Sequence, residues 1–397
     1  MGIGYSPEKS IKTIIPCEPV GQGGKWGHCP RIPSRAGPWK GGCKLLSASI
    51  ILFFASHHSS RSAFSPGVPG PDGEASYTIR IRLSKADPVT QPFGRCQPLI
   101  DQARARGPVV TAVVYPVSRE GVLGAVESAR LGLIRPLLVG PGEAIRRAAA
   151  EAGADLAGCT LIEEADPVAC ATRAAALVRS GEAEVIMKGS LHTDELMGVV
   201  VSREAGLRTH RRISHVFVMD VAAYPKLLLI TDAAVNIAPG LTTKRDIVQN
   251  AVGVAQVIGV EVPRVALLSA VETVNPDIPS TVEAAALCKM ADRGQITGAI
   301  LDGPLAFDNA ISADAAKTKG ITSPVSGQAD VLVVPNLEAG NMLYKQLVYL
   351  SGALAAGVVV GARVPVVLTS RADTPASRIA STAVACLLAR ARTAQAE

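Results

Sequence analysis

The chain has 397 residues, 48% of them apolar, with a mean hydropathy of +0.27; this is ample material for a large core in two or three domains and excludes a disordered protein. Only 19% of the residues are charged and 4% aromatic, so the core must be built from Ala, Val, Leu and Ile, as in α/β proteins with buried parallel strands. The net charge of +6 resides in residues 1–88, which hold 11 basic and 5 acidic residues against 29 of each in the remainder. A neutral body excludes nucleic acid as the expected partner.

Residues 1–88 also hold both Trp (Trp26 and Trp39), 12 of the 37 Gly and 10 of the 27 Pro, with no sustained apolar period. They are expected to be disordered or a non-native N-terminal extension, produced by a translation start assigned upstream of one near Val89. The first Met after Met1 is Met187, so such a start would need an alternative codon. The apolar run 45–55 is too short for a membrane span and too far from Met1 for an ordinary export signal. Eight Cys without a CxxC make neither a disulfide framework nor a zinc site, and Cys29 beside His28 is an isolated pair. A cytoplasmic protein with no metal and no membrane partner is expected, with Cys159, Cys170, Cys288 and Cys386 in the core.

From residue 99 the chain alternates. A strand at 109–115 precedes a helix at 119–131; strand 136–139 precedes helix 143–152; strand 160–163 precedes helix 167–179, capped by Asp166-Pro167; and strand 184–187 follows. Segments 213–221 and 227–231, separated by a Tyr224-Pro225 turn, predict an antiparallel pair. The alternation resumes with helix 243–258, strand 265–268, helix 280–291 opened by a capping box at Ser280-Thr-Val-Glu283, strand 298–301 and helix 311–318. Strand 331–334, helix 341–353, strands 357–360 and 365–369, and a terminal helix from Thr374-Pro375 to about Arg392 complete two α/β/α units.

Ligands in such sheets bind beyond the carboxyl ends of strands. The loops there carry Lys188-Gly189-Ser190-Leu-His192-Thr193-Asp194, Thr231-Asp232-Ala-Ala-Val-Asn236, Ser269-Ala-Val-Glu272-Thr273, Asp302-Gly303-Pro304, Pro335-Asn336-Leu-Glu-Ala-Gly340-Asn341 and Thr369-Ser370-Arg371-Ala-Asp373. Hydroxyls, amides and Gly backbone beside helix N-termini suit an oxyanion ligand. Walker, dinucleotide-binding, HExxH and nucleophile-elbow motifs are absent, which excludes those classes. His192, His210 and His215 lack metal-ligand spacing.

Six stretches taken in order, Met187-Lys-Gly-Ser-Leu-His-Thr193, Leu207-Arg-Thr209 with Ile213-Ser-His215, Ile230-Thr-Asp-Ala-Ala-Val-Asn-Ile-Ala-Pro239, Asp302-Gly-Pro304, Glu338-Ala-Gly-Asn341 and Leu368-Thr-Ser-Arg-Ala-Asp373, resemble the phosphate acetyltransferase / phosphate butyryltransferase family over about residues 99–397. The likeness is greatest to the branch fused to an upstream enoyl-CoA hydratase domain; residues 1–88 are too short and irregular to be that domain, so no hydratase function is carried over. The resemblance implies an acyltransferase that converts acyl-CoA and phosphate to acyl phosphate and CoA, with coenzyme A as a substrate and no tightly bound cofactor. It implies two α/β/α domains of the isocitrate/isopropylmalate dehydrogenase-like architecture, 89–208 with 355–397 and 209–354, an active site in the cleft between them, and a homodimer.

By the same resemblance Arg371 clamps phosphate and Ser370 donates to the oxyanion. Acetyl-specific members carry an Asp base seven residues after that Ser, where this chain has Ser377, so Asp373 and Asp302 are the substitute bases, unless each merely caps a helix or turn. Those members also have an Arg shortly after the His-Thr; here the nearest is Arg203. Lys188, Gly189, Ser190, His192, Thr193, Asp232, Asn236, Gly303, Asn336, Gly340 and Asn341 are expected to bind substrate. The run Arg203, Arg208, His210, Arg211, Arg212 is either solvated loop or a contact for the nucleotide phosphates of CoA. Two other functions fit parts of the pattern: a non-catalytic CoA or acyl-phosphate-binding regulator, and a metal-dependent decarboxylating dehydrogenase of similar fold, which would need clustered Asp residues that the chain lacks.

Overall fold

The computed structural model describes residues 93–368 and 373–396, together with two short strands before them. Those strands, β1 (Ala63–Pro66) and β2 (Tyr77–Arg80), pair antiparallel and form a unit by themselves. The readings placed on Trp26, His28, Cys29 and the 45–55 run lie outside the described residues, as does the rest of 1–88 apart from these two strands.

Residues 91–397 make a second unit. After helix α1 (Gln97–Ala105), β-branched runs alternate with Ala-rich helices: β3 (Val109–Val114), α2 (Arg119–Arg130), β4 (Ile134–Gly140), α3 (Gly142–Ala152), β5 (Thr160–Glu163), α4 (Pro167–Arg179), β6 (Val185–Lys188) and α5 (Thr193–Val201). The expected cap on α4 forms, with the Asp166 carboxylate accepting from the Ala169 N–H at 2.8 Å. β7 (Ser214–Asp220) and β8 (Leu228–Thr231) are the expected antiparallel pair. There follow α6 (Leu241–Val257), β9 (Arg264–Leu268), α7 (Pro279–Asp292), β10 (Ile300–Leu305), α8 (Phe307–Ile311), α9 (Ala313–Thr318), β11 (Val331–Val333), α10 (Leu337–Ser351), β12 (Leu354–Val360), β13 (Val366–Val367) and α11 (Pro375–Ala396).

All eleven strands of this unit join one sheet in the order β10-β9-β11-β8-β7-β12-β13-β6-β3-β4-β5. Pairing is parallel in the β10-β9-β11-β8 block and in the β13-β6-β3-β4-β5 block. The three pairings between the blocks, β8/β7, β7/β12 and β12/β13, are antiparallel, so the two blocks run in opposite senses. The β7–β12 pair is therefore the seam. One face of it, with Val216, Val218, Ala356 and Val358, packs into the core formed with α6 and α11, including Ile247, Val248 and Val384. The other face presents His215, Phe217 and Met219 opposite Val359, Gly357 and Ala355.

Three sequence expectations are corrected. The single helix expected at 311–318 is instead the short helix α9 preceded by a second short helix, α8, ending at Ile311, because Ser312 interrupts the run and caps α9 through a 3.2 Å bond from Ala315 N–H. The capping box at Ser280 does not form: α7 starts at Pro279, the Ser280 hydroxyl bonds Ser269 at 2.8 Å, and Glu283 pairs with Lys244. Cys170 and Cys386 are buried as expected, whereas Cys159 and Cys288 are only half-buried. Among the described residues no helix is long and apolar enough to cross a membrane.

Candidate active site

The face of the seam that carries Phe217 and Ala355 is the floor of a cavity of about 980 Å³. Loops after β6, β8 and β13 and the flank of α10 surround it. Gly357 makes the floor possible: a Cβ there would lie 3.0 Å from the His215 ring and 3.1 Å from that of Phe217. Its absence lets His215 tilt onto Phe217, with centroids 4.2 Å apart, and Phe217 stack on Tyr344 at 3.8 Å.

From β6 the chain brings Lys188, His192 and Thr193 to this cavity. Lys188 is 6% exposed and its Nζ lies 3.4 Å from the Gly189 carbonyl. His192 and Thr193 are exposed at the start of α5, where the His192 N–H donates to Glu195 Oε2 at 2.7 Å. Gly189 and Ser190 hold this loop to the sheet, since their N–H groups donate to the carbonyls of Val114 (2.9 Å) and Tyr115 (2.8 Å). The Ser190 hydroxyl is buried with no hydrogen-bond partner.

α10 brings Asn341. This helix begins four residues earlier than the sequence suggests, because the Asn336 side chain caps it through Ala339 N–H at 2.9 Å. Asn341 therefore lies in the second turn, on one face with Tyr344 and Lys345, and all three line the cavity. Its Nδ2 donates to the Ala233 carbonyl at 3.3 Å. Gly340 is buried beside it.

Asp373 lines the cavity and accepts from the Tyr344 hydroxyl at 3.4 Å. Burial, with the nearby Asp373 charge, pushes the Tyr344 phenol well above its usual range. Ser377, 8% exposed in the first turn of α11, faces the same space, and its N–H donates to the Thr374 hydroxyl at 3.1 Å. Ser370 and Arg371 lie outside the described residues, while Leu368 and Asp373 on either side of that stretch both line the cavity.

Four expected residues do not line this cavity. The Asp232 carboxylate is 2% exposed and is occupied by its own loop, accepting from the N–H groups of Ala234, Val235 and Asn236 and from Asn236 Nδ2 at 2.6 Å. Burial pushes this carboxyl up, against the pull of those hydrogen bonds. Asn236 also donates to the Ile213 carbonyl at 2.9 Å. Asp302 and Gly303 sit on β10, the outermost strand beyond β9, where the Gly303 N–H donates to Asp302 Oδ1 at 2.8 Å; neither lines the cavity.

Sequence reasoning missed the aromatic wall. His215 lines the cavity, yet both of its nitrogens are buried and unpartnered, and burial pushes its pKa down to about 3. An unfolded His binds a proton below about 6.5, so from there down to about 3 the unfolded chain holds one proton more than the native one, and stability falls as the pH falls. We expect the Tm of His215→Gln to fall less steeply than that of the unmodified protein between about pH 6.5 and 4; equal slopes would remove His215 from this account.

A cation, hydroxyls, an amide and a carboxylate ranged over an apolar and aromatic floor suit a group-transfer enzyme whose ligand has both apolar and anionic parts. The protein-family model described as phosphate acetyl/butaryl transferase matches residues 158–386. The chain is 59% identical over 296 residues to a phosphate acetyltransferase of Rhizobium meliloti, covering 75% of this chain and 94% of that one. It is 44% identical to a phosphate butyryltransferase of Clostridium acetobutylicum, covering 68% and 90%. A branched-chain phosphotransacylase from Enterococcus faecalis V583 superposes with a TM-score of 0.63 at 32% identity, over 71% of this chain and 99% of that one. The chain belongs to the phosphate acetyl/butyryl transferase family and is an acyltransferase.

Proposed function

We propose that the protein exchanges coenzyme A for inorganic phosphate on a short acyl group: acyl-CoA + phosphate ⇌ acyl phosphate + CoA. The observation that carries this reading is the convergence of Lys188, His192, Thr193, Asn341 and Asp373, from three separated segments, on one cavity beside an apolar wall. Phosphate oxygen attacks the thioester carbon, the tetrahedral oxyanion collapses, the C–S bond breaks and CoA leaves as thiolate. In reverse, a thiol of pKa about 8.5 is only a few per cent ionised near pH 7, so attack gains from a base and a positive field. Asp373 takes the thiol proton, Lys188 supplies the field, Arg371 clamps phosphate and Ser370 donates to the oxyanion. The acyl group rests against Phe217, Tyr344 and Ala355. We further read the protein as a cytoplasmic homodimer without a tightly bound cofactor, its domains being 89–208 with 355–397 and 209–354.

Initial rates with acetyl-, propionyl- and butyryl-CoA test this. CoA release that requires phosphate is expected, and Asp373→Asn should lower turnover in the direction of thiol attack by about a hundredfold. Binding of acyl-CoA without turnover would sink the reading; an unimpaired Asp373→Asn would sink only the assignment of the base.

A further inference from the structure

The chain leaves β3 through a strained residue. Tyr115, directly after Val114, has φ +54°, and among the described residues it is the only one besides glycine with a left-handed φ. That region crowds the Cβ of an L-residue against the neighbouring carbonyl oxygen, so that Gly, Asn and Asp enter it readily and bulky residues do not. An aromatic residue persists there only because the surrounding structure holds it.

The left-handed φ turns a carbonyl round. β3 lies between β4 and β6, and in an extended residue the N–H and C=O point to the same side. The Tyr115 N–H continues the ladder and donates to the Val139 carbonyl on β4 at 2.8 Å, so an extended Tyr115 would aim its carbonyl at β4 as well. It faces the β6 side instead and accepts from the Ser190 N–H at 2.8 Å, next to the Val114 carbonyl, which accepts from the Gly189 N–H at 2.9 Å. Two consecutive carbonyls thus grip the loop after β6, where a regular strand offers every second one. The Tyr115 oxygen also accepts from the Val117 N–H at 3.0 Å, which ties the turn to the start of α2.

Lys188 pairs in register with Val114, so the chain leaves the ladder directly after the cation that faces the large cavity, and Leu191 and His192 line the same space. We propose that Tyr115 is a positioning residue for acyl transfer: its left-handed turn aims a backbone carbonyl at Ser190 and so fixes the 188–192 loop over the cavity. The inference rests on the phosphate acyltransferase reading above. A misplacement of about 1 Å is enough to slow a reaction a hundredfold, which gives a strained anchor its use. The acyl wall of Phe217, Tyr344 and Ala355 stands on β7, α10 and β12, so a displaced loop harms turnover more than binding.

Tyr115→Asn and Tyr115→Val in the full chain test this. Both remove a phenol that packs against the core shared by β3, α4 and α5, so both should lower the Tm, but only Asn takes a left-handed φ readily. The kcat of Tyr115→Asn should stay within about threefold of the unmodified protein, and that of Tyr115→Val should fall about tenfold or more, with the KM for acyl-CoA moving less than about threefold. Tyr115→Gly should turn over like Tyr115→Asn. Equal kcat in the folded Asn and Val variants, or kcat that follows Tm through the series, overturns the proposal. If Tyr115→Val does not fold, Tyr115→Ala and Tyr115→Gly give the same comparison, with the Ala variant expected to be the slower and equal rates again overturning it. Turnover by the unmodified protein with an unimpaired Val variant sinks this inference alone. Absence of turnover by the unmodified protein sinks the transferase reading alone, and amide hydrogen exchange then decides the anchor: the Ser190 N–H should exchange about tenfold faster in the Val variant than in the Asn variant, and equal protection overturns it.

Discussion

Gly189→Ala is expected to lower the Tm by about 6 °C or more, at about 2 °C for each kcal/mol lost. A Cβ at this position would lie 2.4 Å from the Val114 carbonyl oxygen and 2.7 Å from that of Tyr115. Both are backbone atoms at the end of β3, so no side chain can swing aside to make room. The same residues accept the N–H groups of Gly189 and Ser190, and separating the strands to fit a methyl group strains or breaks those bonds. Overpacking against backbone costs about 3 kcal/mol. Because Lys188 and His192 ride on this loop, turnover should fall with stability. A Tm within about 2 °C of the unmodified protein would mean that the loop has slack and that Gly189 is not its anchor.

Arg371→Lys should reduce turnover by more than about tenfold while leaving the Tm within about 2 °C. A guanidinium offers two parallel N–H donors to two oxygens of one phosphate, whereas an ammonium offers a single point of charge on a longer, freely rotating stem. If the fork holds phosphate in line with the acyl carbon, losing it costs alignment as well as energy. The loss should therefore appear in kcat as well as in the KM for phosphate. A variant with near-normal kcat would remove Arg371 from the chemistry and leave Lys188, which already faces the cavity, as the principal cation there.

The alternation of strands and helices was legible in the sequence because a strand buried on both faces reads as an uninterrupted β-branched run, as in β3 and β6, between Ala-rich stretches of helical length. The caps show where that legibility stops. Asp166 caps α4 as its position suggests, since its partner is three residues away. Ser280 and Glu283 have an equally good local pattern, yet they bond to Ser269 and Lys244, residues on other elements. Helix α5 has no such local signal: Leu196-Met-Gly-Val-Val-Val201 has the residue types of a strand, and packing makes it a helix. A signal for part of the missed wall was present: Tyr344 stands three residues after Asn341, and Phe217 two after His215, which places each pair on one face.

By itself the sequence determined the α/β class, the loops that carry chemistry and the family, because each is written in residue types at short spacing. Tertiary structure decided which of those loops meet. Lys188, Asn341 and Asp373 share a cavity, while Asp302 lies on the outermost strand and Asp232 is occupied by its own loop. Strand order and the antiparallel seam fix those neighbours, and they depend on contacts between residues far apart in the chain, which no local spacing records.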